Sequence, residues 1–173
     1  MDGRGTRHDR AVAREESMNT KRLVLDSFSL ELAPDWIDIT ESLGEEDAPW
    51  SYARPGGAGL LQLSAAVHRR GRRPDASVTT LEAMLRDFAV AQDLGEPSDL
   101  ARVSEPNGVV GGSFLSPEGF VRVWYVSDGP SFVLATYVCE EKGAEAAELP
   151  ACEAMIASLR FDGEEDVDED RAD

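Results

Sequence analysis

An α+β fold, with a central antiparallel sheet flanked by two main helices, is what this sequence predicts, and three observations predict it. Apolar and polar residues alternate in several runs between residues 21 and 162, as half-buried strands require. Two other runs switch to a helical repeat. Strands and helices do not take turns along the chain, so a doubly wound parallel sheet is excluded.

The strands come in order. In RLVLDSFSLEL, Leu23 and Leu25 share one face; after the Asp26-Ser27 interruption, Phe28, Leu30 and Leu32 alternate with polar residues as a half-buried strand requires, and Pro34 ends it. WSYAR and GLLQLSAAVHR are expected to pair as a hairpin, since Pro55 and the glycines of RPGGAG allow the chain to reverse. Within the second, Leu61, Leu63, Ala65 and Val67 lie on one face and Gln62, Ser64 and His68 on the other. GVVGGSFLS, opening at Asn107-Gly108, reads as the next strand. VRVWYVSD and SFVLATYVCE then flank Asp128-Gly129, the strongest hairpin signal in the chain.

The helical runs are SVTTLEAMLRDFAVAQDL and AELPACEAMIASLRF. The first places Leu81, Met84, Leu85, Phe88 and Ala89 on one stripe, with Ser77, Thr79 or Thr80 as N-cap and Gly95 near the stop. The second aligns Leu149, Cys152, Met155, Ile156 and Leu159, and its Pro150 is tolerable only near a helix start. Both cysteines, Cys139 on a strand and Cys152 on this stripe, read as buried thiols.

The chain has 173 residues, enough for one domain with its own core. Residues 1–20 are polar and aperiodic, and 163–173 form a block of like charge; both are expected to be disordered tails around a single domain at 21–162.

The opening FSLELAPDWIDIT resembles the start of the PsbP-like fold. So does the order that follows: the strand GLLQLSAA, a mid-chain helix, three late strands ending in FVLATYVCE, and a closing helix finished by SLRF. The resemblance runs from about Leu23 to Phe161. It implies a PsbP-like layered sandwich, a fold shared by photosystem extrinsic proteins, a Ran-binding release factor and many bacterial proteins, with binding roles and no common catalytic site.

Charge narrows the function. Asp and Glu number 34 against 17 Lys and Arg, a formal charge of -17 that repels phosphate backbones and anionic lipid surfaces, so neither nucleic acid nor membrane is an expected partner. The first twenty residues hold no apolar run that could act as a signal peptide, and a cytoplasmic location is expected. Two histidines, His8 and His68, give no zinc spacing, and neither G-x-S-x-G nor a phosphate-binding G-x-x-x-x-G-K-[ST] loop is present. No cofactor, metal site or catalytic residue is therefore assigned.

Two candidate binding features remain. Glu41, Glu45, Glu46 and Asp47 cluster in sequence beside Trp50, with Trp36 and Tyr52 nearby; acids that steer a partner and an aromatic that anchors it are the composition of a protein-binding hot spot. Arg69, Arg70, Arg72 and Arg73 in HRRGRRP are a candidate anion-binding knob, because guanidinium groups present paired donors. The expected function is a non-catalytic protein-binding module of toxin-immunity or adaptor type that engages a basic partner. The alternatives are a carboxylate-based enzyme and a carrier of a small apolar ligand.

Overall fold

Residues 20–67 and 77–162 are described by a computed structural model of the chain, and the alternating runs within them pair as strands. In chain order these are β1 (Lys21–Val24), β2 (Phe28–Leu32), β3 (Ile37–Asp38), β4 (Trp50–Ala53), β5 (Gly59–Val67), β6 (Ser98–Val103), β7 (Gly108–Ser116), β8 (Gly119–Ser127), β9 (Ser131–Cys139) and β10 (Arg160–Phe161). A 3-10 turn spans Thr40–Leu43, α1 spans Val78–Ala91 and α2 spans Glu145–Ala157.

Seven strands form an antiparallel sheet in the order β3-β4-β5-β9-β8-β7-β6, and β1-β2-β10 make a smaller one. The hairpins expected at Pro55 and at Asp128-Gly129 both form, joining β4 to β5 and β8 to β9. The long pairing of β5 with β9, from Gly59 opposite Cys139 to Val67 opposite Ser131, closes the centre of the large sheet.

Because side chains alternate across a sheet, each strand feeds two cores. On one face Leu61, Leu63, Phe120, Trp124, Val133, Ala135 and Tyr137 pack beneath α2 and the small sheet, meeting Cys152, Met155 and Ile156 from the helix and Phe28, Leu30 and Leu32 from β2. On the other, Val110, Phe114 and Val123 pack against Leu81, Leu85 and Ala89 of α1. The result is the layered α+β arrangement the period analysis predicts. Among the described residues, no helix is long and apolar enough to cross a membrane.

Ser77 is the N-cap of α1, its hydroxyl accepting from the Thr80 amide at 3.2 Å. Met84 and Phe88 flank the buried stripe and are only half-buried. Both cysteines are free and fully buried. Burial pushes the Cys152 thiol up, and the carboxylates of Glu148 and Glu153 push it further.

Three expectations need correction. RLVLDSFSLEL is a hairpin and not one strand: β1 turns back on β2, with Lys21 opposite Leu32 and the Leu25 amide donating to the Phe28 carbonyl at 2.8 Å. Alternation looks the same on both sides of a reversal, so Asp26-Ser27 read as a break when it was the turn. The closing helix stops at Ala157; Arg160 and Phe161 leave it to pair with Ser29 and Phe28. Strand β6 was missed altogether, because a bulge between Ser98 and Ala101, with Asp99 at φ 52°, breaks its alternation. His68 and both tails lie outside the described residues.

Leu63 is fully buried between the sheet and α2, whereas Val90 on the outer side of α1 is 82% exposed. Leu63→Ala is expected to lower the unfolding free energy by about 2 to 5 kcal/mol and Val90→Ala by less than about 0.5 kcal/mol. Denaturant unfolding of the two variants checks this, and equal losses would contradict the assigned faces.

Candidate functional site

The acidic loop begins where β3 ends. Asp38 Oδ1 accepts from the Thr40 amide at 2.9 Å and from its hydroxyl at 2.6 Å, and Thr40 Oγ1 in turn accepts from the Ser51 amide of β4 at 2.9 Å. These bonds pin the 3-10 turn against β4. Gly44, at φ 69°, ends the turn in the left-handed conformation that glycine adopts without strain. Glu41, Glu45, Glu46 and Asp47 are all exposed.

Trp50 is half-buried and meets Phe28 edge to face at 5.4 Å, so the ring supports the core as well as bordering the surface. An open hollow brings Trp50 together with Glu41, Asp38, Thr40 and Ser42; Glu45, Glu46 and Asp47 follow in the loop and do not line it. Trp36 and Tyr52 are buried. The arginine knob, Arg69, Arg70, Arg72 and Arg73, lies outside the described residues.

Sequence reading missed a more heavily built feature. Phe120, Arg122, Trp124 and Val126 share one face of β8, which places a guanidinium on an apolar surface, where Arg122 is 2% exposed. Burying that charge is tolerable only with partners. They are supplied from three directions: Nε donates to Glu153 Oε1 of α2 at 3.0 Å, and Nη1 donates to the Asp99 carbonyl at 2.7 Å and to Ser113 Oγ at 3.0 Å. The other oxygen of Glu153 accepts from Trp124 Nε1 at 3.1 Å, and the guanidinium carbon lies 5.6 Å from the Trp124 ring centre. A Cβ at Gly111 would lie 2.9 Å from the indole and 3.1 Å from the guanidinium, so only glycine leaves room for the pair. The signal in the sequence was an arginine inside the otherwise apolar strand run VRVWYVSD.

A second carboxylate acts at the other end of α2. Glu148 is buried in the first helical turn, and its Oε1 accepts from the amides of Ala58 and Gly59 at 2.8 and 2.9 Å and from the Tyr137 hydroxyl at 3.4 Å. It thereby straps the β4–β5 turn to the helix. Negative charge in a first turn is also favoured by the helix dipole. Gly57 and Gly59, read in the sequence as turn residues, are needed for this approach: a Cβ at Gly57 would sit 2.7 Å from Glu148 Oε2, and one at Gly59 would collide with the Tyr137 ring.

Two clefts border these elements. One, of about 250 Å³, lies between α2 and the β6–β7 connection, with Val103, Ile156 and Leu159 in its walls and Trp124, Glu153 and Glu105 among its lining. The other, of about 300 Å³, lies at the end of α1, where Phe88, Leu94, Val121 and Val138 meet Glu118 and Glu140. Among the described residues no group of three or more His, Cys, Asp or Glu side chains gathers as a metal site would require. Apolar walls with carboxylates at the edge are suited to holding a ligand or side chain.

This geometry can be set beside solved structures. The solution structure of cyanobacterial PsbP (CyanoP) from Synechocystis sp. PCC 6803 matches with a TM-score of 0.57 at 7% identity, over 94% of this chain and 97% of that one. The fold is PsbP-like. A crystal structure from Bacteroides thetaiotaomicron VPI-5482 also matches, with a TM-score of 0.57 at 16% identity over 85% of this chain, which spans half the length of that protein. At these identities the likeness to PsbP is one of fold, and the Arg122 and Glu148 networks are described from this chain alone. No family model and no curated protein matches the sequence.

The buried phenols give a test of this interior. Burial, with Asp38 adding, pushes Tyr52 up to about 12, and burial, with Glu148 adding, raises Tyr137 further above the ordinary phenol range. A proton held more tightly in the folded state contributes stability that is complete below about pH 10, the unfolded value, and is lost as pH rises through the folded values. Phenolate absorbance from Tyr52 and Tyr137 is therefore expected to appear only well above pH 10, together with loss of the fold. Titration of Tyr52→Phe and Tyr137→Phe beside the parent assigns the signals, and either phenol ionising near pH 10 in the folded protein would contradict the packing.

Proposed function

We propose that the chain is a non-catalytic protein-binding module that engages a basic partner, in the manner of a toxin-immunity or adaptor protein. The observation that carries this reading is the state of its cations. Arg22, Arg86, Arg102 and Arg122 are each in an ion pair with a carboxylate, and the other cations among the described residues are Lys21, Arg54, Lys142 and Arg160. With a chain charge of -17, the exposed loop of Glu41, Glu45, Glu46 and Asp47 adds to a negative field with little to cancel it. Such a field raises the encounter rate with a cationic surface and disfavours acidic ones. The hollow at Trp50 supplies an aromatic edge where contact can follow encounter.

The carrier alternative draws on the two clefts. Their volumes, about 250 and 300 Å³, lie at or below the low end for pockets that enclose a small molecule, which favours the protein-binding reading.

Kinetics separate steering from anchoring. With a basic partner isolated from the native cell, association in stopped flow is expected to slow as salt rises, since the screening length is already roughly 8 Å at 0.15 M. Joint replacement of Glu41, Glu45 and Glu46 by Gln and Asp47 by Asn should mainly slow association, and Trp50→Ala should mainly speed dissociation while lowering the melting temperature through the lost Phe28 contact. Association that ignores both salt and the four substitutions would contradict the proposal.

A further inference from the structure

From the cleft between α2 and the β6–β7 connection, we infer a specific recognition site for one lysine or arginine side chain of the basic partner, with Glu153 as its acceptor. The inference rests on the binding role proposed above and adds a place and a chemistry to it.

Three features of the cleft converge. The first is size: about 250 Å³ suits a single long side chain better than a separate organic ligand. The second is the wall. Val103, which is 48% exposed, together with Ile156 and Leu159 gives an apolar lining of the kind that covers the methylene stem of a lysine or arginine while its charged end reaches a polar group.

The third feature is electrostatic. Glu153 is held from behind by Arg122 Nε on one oxygen and the Trp124 indole on the other, yet its side chain is 42% exposed and lines the cleft. A carboxylate oxygen has more than one acceptor position, so each can take a further donor from the open side. Such a group does not have to be ordered when the ligand arrives, which lowers the cost of binding.

The charges around it favour a cation. Arg122 is shared by two carboxylates, Glu153 at 3.0 Å and Asp99 Oδ2 at 3.7 Å, and Glu105 adds a further negative charge to the cleft lining. The C-terminal end of α2 adds to this. Ala157, its last residue, lines the cleft, and no basic side chain occupies the final turn to offset the negative end of the helix dipole. An anionic ligand is repelled by these groups, and a neutral donor gains only a weaker hydrogen bond from them. A cation on an apolar stem gains from each of them.

The structure also provides the reporter. The Trp124 indole N–H donates to Glu153, so a cation that takes up Glu153 must perturb that proton, while Trp50 reports on the acidic loop. The experiment titrates the full chain, labelled with nitrogen-15, with decalysine and separately with its fully Nε-acetylated form, following the indole resonances. Decalysine is expected to shift the Trp124 indole saturably, and the acetylated peptide, which keeps the stem and loses the charge, should not. Ala157→Phe fills the cleft from the exposed end of α2 while keeping Arg122, Glu153 and Trp124 themselves unchanged, and should weaken the Trp124 response to decalysine about tenfold or more, leaving any Trp50 response in place.

Decalysine shifts confined to Trp50 would overturn the cleft assignment and leave the acidic-loop reading standing. Equal response to the acetylated peptide, or a Trp124 response unchanged in Ala157→Phe, would also overturn it. No response at any site would contradict both readings.

Discussion

A buried guanidinium governs this fold. Arg122 sits on the α2-facing side of β8, between Phe120 and Trp124, where a charge without partners would be far more costly than a typical domain's whole stability allows. Its presence dictates what surrounds it. Glu153 must come from α2, the backbone of β6 must turn its Asp99 carbonyl inward, and β7 must present a hydroxyl at Ser113 and nothing larger than hydrogen at Gly111. The bulge in β6 and the positive φ of Asp99 lie at this point. A sheet edge, a central strand and a helix are thus joined at one polar centre inside an otherwise apolar layer.

Glu148 does the corresponding work one and a half turns earlier on α2. It accepts the two amides at the start of β5 and the Tyr137 hydroxyl, so the helix is tied to the sheet at both ends by carboxylates, while Cys152, Met155 and Ile156 fill the space between. On the opposite face α1 packs through Leu81, Leu85 and Ala89, and its carboxylate link to the sheet, Glu82 to Arg102 of β6 at 2.7 and 2.9 Å, lies at the exposed edge and not inside the layer. The buried polar fastening under α2 leaves the exposed side of Glu153 as a fixed acceptor facing a cleft. Structure and proposed recognition therefore meet in one side chain.

Most of the layered architecture was legible in the sequence, since period two and period 3.6 report directly on which face is buried. Leu61 and Leu63, Leu81 and Leu85, and Met155 and Ile156 all face where their spacing places them. What stayed hidden follows from the limits of that signal. Alternation carries no direction, so the reversal at Asp26-Ser27 passed for an interruption; a bulge erases alternation, so β6 went unread. The Glu41–Asp47 loop was visible as composition, but only the structure shows that Glu41 shares a hollow with Trp50 and that the other three acids do not line it. The centre at Arg122 depends on groups 9 to 31 residues away in sequence, and no local pattern announces such partners.

The most direct test of this account is a double-mutant cycle on Arg122 and Glu153, read by denaturant unfolding. Replacing Arg122 by Met removes the buried charge, replacing Glu153 by Gln removes its counter-charge, and the double variant removes both. If the pair is what fastens α2 to the sheet, each single change is destabilising and the double variant loses less than the two single losses added, by about 1 to 3 kcal/mol. Losses that simply add would mean that Arg122 and Glu153 stand side by side without depending on one another, and the central claim would fail.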